Sequence, residues 1–377
     1  MILGIHTRLP RYKLLYIILG YIFVITFLFN KSLTDSSTIK TFFRFSLYSI
    51  VIVTIIYEFK TDQKELIKAY LVFCKIICLF ALIQGVGFLL KIPFLYDFKY
   101  LGIGSPSNDY RFIRVASLAT EPAWMIQYLI PAIYLSIGRI LYKDKWSKSL
   151  ISKRYALIVL FVGFISQSSL FLIILPLFAM SFLLRKKNNN FIIYSIVSLS
   201  IICIVFISSY KYSESFRIRI DAITKLQFDS MSSENHSVFA LLSNMQVTKE
   251  ALKQNPIVGS GMDSYRNNYD RYIGKFYNRN NLYLELNSND SGSFYLRILS
   301  EFGYLGFILT IFIFWYSSRH SQDKNIYYFY LTCFLIFGLR NGQYINMQFL
   351  FFFWGLVLSP NLTTIENTLP NRNFASS

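Results

Sequence analysis

Charge is scarce in this chain of 377 residues. Asp, Glu, Lys and Arg together make up 15% of it, where a soluble domain carries roughly 25%. Cysteine is rare as well. Cys74, Cys78, Cys203 and Cys333 all lie inside apolar runs, as small buried hydrophobes do, which excludes a disulfide framework and a cysteine zinc site. The three histidines, His6, His236 and His320, are scattered and form no metal cluster. With 17 glycines and 9 prolines the chain is not collagenous, and it is too apolar to be disordered. No Ser-His-Asp set, HExxH, Rossmann fingerprint or P-loop is present.

Apolar surface is what the chain has. Hydrophobic residues reach 54%, aromatics 18%, and mean hydropathy is +0.41. Length alone would suggest two or three soluble domains. One aqueous core cannot hide this much Phe, Ile and Leu. The composition therefore indicates an all-α, polytopic integral membrane protein. The 38 Lys and Arg against 20 Asp and Glu give a net charge of +18. In a membrane protein this excess belongs first to cytoplasmic loops, and second to anionic lipid or phosphate ligands.

A spanning helix needs about 20 mostly apolar residues. Candidate spans are 14–30, 41–59, 67–90, 117–141, 191–210 and 293–316. The first follows Arg8, Arg11 and Lys13 without a cleavage site, so it reads as a retained helix. The run 155–184 is interrupted at Ser166-Gln167-Ser168-Ser169 and flanked on both sides by basic clusters. Both clusters belong in the cytoplasm, which predicts a helical hairpin turning at the serines. The run 326–358 splits likewise near Arg340. The expectation is about ten spans with both termini cytoplasmic. Residues 1–210 would hold seven spans, 211–292 a large periplasmic loop, and 293–377 three spans and a cytoplasmic tail. Within the loop, 236–254 has helical spacing of apolar residues and is expected at the membrane surface.

Several residues could carry chemistry. Arg217, Arg219, Arg266, Arg271 and Arg279 lie in the long loop, with Arg111, Arg114 and Arg340 at other outer turns. The planar guanidinium fork suits phosphate or carboxylate. For any single loop arginine, solvation or a lipid headgroup is the stronger reading. Arg297 differs, because an arginine one turn inside a span faces the protein interior or a watery cavity. Glu301, four residues on, shares its face and is placed to pair with it. Glu121, in Arg114-Val-Ala-Ser-Leu-Ala-Thr-Glu121-Pro122, is either a functional carboxylate or a helix-terminal acid favoured by the dipole. Asp290 reads equally as a helix cap. Gly303 and Gly306 permit close helix packing. Asn255-Pro256-Ile-Val-Gly259-Ser-Gly261 is a turn with close backbone approach. Outward carboxylates and arginines suit glycosyl transfer from a phosphate leaving group: the carboxylate takes a hydroxyl proton and the arginines stabilise the departing diphosphate without a metal.

Many spans followed by a large late loop resemble the O-antigen polymerase and ligase superfamily. Three segments carry the resemblance: Arg114 through Glu121-Pro122, the Asn255-to-Gly261 turn, and Asp290 through Gly306. The middle hairpin reads Ser166-Gln167-Ser168-Ser169 where members often have Ser-Arg. Where ligases carry a loop histidine, this chain has Asn289-Asp290-Ser291-Gly292, which favours a polymerase. The resemblance implies joining of undecaprenyl-diphosphate-linked repeat units into O-antigen or capsular polysaccharide at the periplasmic face of the bacterial inner membrane. The implied catalytic carboxylates are Asp290 and Glu121. Arg114, Arg297, Arg217, Arg219, Arg266 and Arg340 would bind the diphosphate. No cofactor, metal or nucleic acid is implied. The partners would be membrane lipids and the lipid-linked oligosaccharide, with a chain-length regulator and a flippase of the same pathway. A ligase acting on lipid A core and a transporter of lipid-linked sugars are the alternatives.

Overall fold

The computed structural model describes residues 9–29, 36–98, 108–109, 112–185, 236–276 and 285–362, with single residues 200, 207, 210, 211, 217 and 221. The expected span 191–210, and Arg111, Arg219 and Arg279, lie outside the described residues apart from isolated positions in that span. Among the described residues the structure is helical save for one antiparallel pairing of two-residue strands, β1 (Asn108–Asp109) with β2 (Phe112–Ile113). Two compact units interleave along the sequence. The first takes 1–58, 204–319 and 337–357; the second takes 59–203, 320–336 and 358–377.

In the first unit, α1 (Leu9–Phe23) continues as a π-helical segment, Val24–Phe29, and is followed by α2 (Ser36–Glu58). The second unit opens with α3 (Gln63–Leu89) and the single turn α4 (Pro93–Tyr96). Its centre is α5 (Pro122–Ile140), buried without a break from Leu129 to Gly138. Pro122 sits at the first helical position, where its missing N–H leaves nothing unpaired. The helix therefore starts five residues later than the expected span. Ser117, at φ 54°, belongs to the turn before it. α6 (Lys145–Leu150), α7 (Lys153–Ile165) and α8 (Ser169–Arg185) follow. Tyr134 of α5 stacks on Phe182 of α8 at 4.6 Å.

The 155–184 run breaks at its serines. Ser166 Oγ donates to the Gly163 carbonyl at 2.6 Å, Gln167 turns at φ 48°, and the Ser168 N–H donates back to Ser166 Oγ. A Cβ on Gly163 would lie 2.2 Å from the Phe171 ring, so only glycine lets α7 and α8 approach so closely. Farther along come α9 (His236–Gln254), α10 (Tyr265–Tyr272), α11 (Phe294–His320), α12 (Lys324–Arg340) and α13 (Met347–Leu358). The break between α12 and α13 falls just after Arg340. α9 and α10 share a small core of Phe239, Val247, Ala251, Tyr265, Tyr269 and Tyr272.

Among the described residues, α2, α3 and α11 are long and apolar enough to cross a membrane, and three shorter apolar helices accompany them. Their exposed faces are apolar as well: Phe43, Leu47, Ile50 and Val51 on α2, and Ile308, Ile311, Phe312 and Trp315 on α11. Such faces are at home in lipid, not in water. Cys74, Cys78 and Cys333 are buried free thiols.

Candidate functional site

The site of the first unit is built on a broken helix. Gly303, inside α11, has φ 62° and ψ −163°, far from helical values. The expectation that Gly303 serves helix packing is thereby corrected: it ends one helical piece and starts another. A break strands carbonyls on one side and N–H groups on the other, and buried ones must find partners. The Asn255-to-Gly261 turn supplies them. Ser260 and Gly261 N–H donate to the Ser300 and Glu301 carbonyls at 3.1 and 2.7 Å, while Tyr304 and Leu305 N–H donate to the Pro256 and Ile257 carbonyls at 2.8 and 3.0 Å.

This docking delivers Asp263 to Arg297. The guanidinium is almost wholly buried. Its Nε donates to Glu301 Oε1 at 2.8 Å, the pairing expected from the four-residue spacing. Nη1 donates to the Gly342 carbonyl at 3.1 Å; Nη2 reaches Asp263 Oδ1 at 3.2 Å and Tyr344 Oη at 3.3 Å. The group also lies over the Tyr344 ring, 4.1 Å from its centre. Glu301, fully buried, accepts further bonds from the Tyr344 hydroxyl at 2.9 Å and from the Asp263 and Tyr265 N–H groups at 3.1 and 3.3 Å. Four of the five guanidinium protons are thus taken up by the protein. Two carboxylates face one guanidinium, so the cluster is not left cationic.

Asp290 stands next to this cluster. Its carboxylate accepts the Gly292 N–H at 3.0 Å within a local turn, not an N–H of α11. The turn packs so closely on residue 342 that a Cβ there would overlap the Asp290 carbonyl, and that same residue's carbonyl holds Arg297. Burial pushes the Asp290 carboxyl above its ordinary range, against the opposing pull of the Gly292 N–H and Arg297. Arg266 braces the turn from outside through Asn289 at 3.5 Å, and its charge is met by Asp270 at 3.0 Å and Glu285 at 3.7 Å. Arg340 is exposed at the end of α12, and Arg217 is exposed.

Arg114 and Glu121 belong to the second unit. Glu121 is exposed at the cap position of α5, where its side chain makes no capping bond. The segment between them is held by Gln84, fully buried on α3. Its Oε1 accepts the Ala116 and Ser117 N–H groups at 2.8 and 3.0 Å, and its Nε2 donates to the Tyr96 carbonyl at 3.0 Å. Sequence reasoning missed both Gln84 and Asp263. A glutamine inside an apolar run was the available signal for Gln84.

An apolar cavity of about 330 Å³ adjoins the cluster in the first unit. One wall is α11 from Phe294 through Ile298, Phe302 and Leu309 to Ile313, and the facing wall is Leu14 to Ile22 of α1. It meets the polar cluster at Tyr344 and Met262. Among the described residues no three of His, Cys, Asp and Glu come together to hold a metal ion.

Apolar helices with lipid-suited faces, an internal ion cluster and an adjoining apolar cavity define a multi-pass membrane protein. Residues 130–311 match the family model described as O-antigen ligase, in line with the O-antigen polymerase and ligase superfamily. The match starts within α5 and ends within α11, past the break at Gly303. Members of that family transfer glycans and work on lipid-linked glycan substrates in membranes, which supports a role in glycan polymerisation or ligation. No curated protein and no solved structure matches the chain.

Proposed function

We propose that the protein is a polymerase of undecaprenyl-diphosphate-linked repeat units, acting at the periplasmic face of a bacterial inner membrane. The observation that carries this reading is the apolar cavity ending at Tyr344, whose hydroxyl belongs to the Arg297 cluster. Such a junction fits a substrate with a hydrocarbon tail and a polar, hydroxyl-rich head. An acceptor sugar hydroxyl attacks the anomeric carbon of the donor glycan. The carbon–oxygen bond to the diphosphate breaks, and its electron pair leaves with undecaprenyl diphosphate. The hydroxyl proton passes to a protein carboxylate, for which Asp290 and Glu121 are the candidates read from sequence. Arg340, Arg114, Arg217, Arg219 and Arg266 are the cations proposed for the diphosphate. Arg297, with its donors committed inside, is proposed to organise the carboxylates instead.

Polymerase is favoured over ligase by Asn289-Asp290-Ser291-Gly292, which stands where ligases carry a histidine. The proposed topology has about ten spans and a periplasmic 211–292 segment; phosphatase fused after Asn278 should be active and after Lys187 inactive, and the reverse would overturn it. The reaction is tested with purified protein in liposomes, supplied with lipid-linked repeat units or with these plus lipid A core. Lipid-linked products of two and more repeats are expected in both. Transfer to lipid A core alone would make the protein a ligase; sugar movement without bond formation would make it a transporter.

A further inference from the structure

Asp263 is held in place by four separate segments. Its own backbone is left-handed, with φ 65°, a conformation disfavoured for a residue with a Cβ. Strain of this kind persists only where surrounding contacts enforce it, and it gathers at functional sites. Here the contacts are clear. Thr26, in the π-helical end of α1, accepts the N–H of the preceding Met262 at 3.1 Å. Glu301 and Tyr344 accept the N–H of Asp263 itself at 3.1 and 3.0 Å. Arg297 holds Oδ1 at 3.2 Å, and Thr41 of α2 donates its hydroxyl to Oδ2 at 2.9 Å. A π-helical insertion is itself a frequent companion of functional sites.

Access separates this carboxylate from its neighbour. The Glu301 side chain is 0% exposed, whereas that of Asp263 is 26% exposed. Asp263 also follows Met262, a wall of the apolar cavity. It therefore stands where a lipid-borne sugar would emerge from the cavity, with an oxygen already placed to accept from a hydroxyl.

Resting on the glycan-transfer reading above, we propose that Asp263, in place of the sequence candidates Asp290 and Glu121, is the catalytic base, and that Thr41 marks the position taken by the acceptor sugar hydroxyl. As the acceptor oxygen bonds to the anomeric carbon, its proton moves to Oδ2 of Asp263. The diphosphate departs with the electrons of the broken bond. Arg297 keeps Oδ1 fixed, and Glu301 fixes Arg297.

The test uses full-length protein in liposomes with lipid-linked repeat units, comparing Asp263→Asn, Asp263→Gly, Asp290→Asn and Thr41→Val with wild type. Asn and Gly both tolerate positive φ, so either replacement keeps the backbone. The expected result is a loss of turnover per folded molecule of about 10²–10⁴-fold in both Asp263 variants. Added formate, a small external base, should restore turnover in Asp263→Gly and leave Asp290→Asn and Thr41→Val unchanged. Near-normal turnover in either Asp263 variant would overturn the proposal. So would a loss in Asp263→Gly that formate does not relieve, which would make Asp263 a positioning residue. If wild type itself joins no repeat units, the glycan-transfer reading fails first; if wild type is active and the Asp263 variants are too, only this assignment fails.

Discussion

Gly303 of α11 meets Gly259 of the preceding turn backbone to backbone: a Cβ built on Gly303 would lie 2.7 Å from the Gly259 amide nitrogen and 2.4 Å from the Ile257 carbonyl oxygen. The reciprocal Cβ on Gly259 would lie 2.4 Å from the Glu301 carbonyl carbon. Both residues have positive φ. The helix break, the turn that satisfies it and the delivery of Asp263 to Arg297 all depend on this contact.

Alanine at either glycine should thus lower stability. The left-handed backbone alone costs a residue with Cβ about 1–2 kcal/mol, and the backbone clash adds to it. Gly303→Ala and Gly259→Ala are expected to melt well below wild type in detergent, whereas Gly20→Ala, with nothing within 4 Å of its Cβ position, is not. Equal melting temperatures for all three would contradict the docking described.

Arg297→Ala should be more damaging than the double variant Arg297→Ala/Glu301→Ala. Removing the guanidinium leaves Glu301 buried and unpaired, at a cost of about 3–5 kcal/mol. Removing both charges avoids part of that penalty. Arg297→Lys keeps the charge but loses the fork that spans Glu301, Gly342 and Asp263, so it should recover only part of the stability. Melting curves of the three variants, normalised to membrane-extracted protein, check this; a double variant that melts no higher than Arg297→Ala would show that the pair is not coupled.

Asp290 should impose a pH dependence on stability. Its carboxyl is raised above the ordinary 3.8 by burial, so the folded state holds the proton more tightly than the unfolded one. The associated stabilisation is fully present below 3.8 and is lost as pH rises through the raised value. Asp290→Asn removes this slope and retains an oxygen for the Gly292 N–H. Above that window the variant should melt at or above wild type, and below it the difference should shift toward wild type. A difference independent of pH would show that Asp290 does not titrate abnormally.

Gln84→Leu should loosen the segment between Arg114 and Glu121. It leaves the buried Ala116 and Ser117 N–H groups without their acceptor, at about 1–3 kcal/mol for each unsatisfied group. Hydrogen exchange at those amides should accelerate relative to α5. Unchanged protection would mean that other contacts hold the segment.

Local pattern made part of this legible from sequence. An apolar run too long for one helix, with serines in its middle, exposed the α7–α8 break. The four-residue spacing disclosed the Arg297–Glu301 pair, and the apolar spacing of 236–254 disclosed α9. The break at Gly303 was hidden, since a glycine in an apolar run looks like a packing position and the turn that satisfies the break lies more than 40 residues upstream. Asp263 was hidden for the same reason. Its partners Thr41, Arg297 and Tyr344 are 222, 34 and 81 residues away in sequence, and no short motif joins them.

In the proposed reaction the cavity between α1 and α11 holds a lipid tail whose head reaches the Asp263–Arg297 cluster. A polyprenyl diphosphate bearing a diazirine on the tail tests it most directly, by photolabelling the reconstituted protein and mapping the labelled residues by mass spectrometry. Labels on Ile298, Phe302, Leu309 and the Leu14–Ile22 face of α1, competed by unlabelled lipid-linked repeat units, are the predicted result. Specific, competed labelling confined to residues outside this cavity would contradict the account.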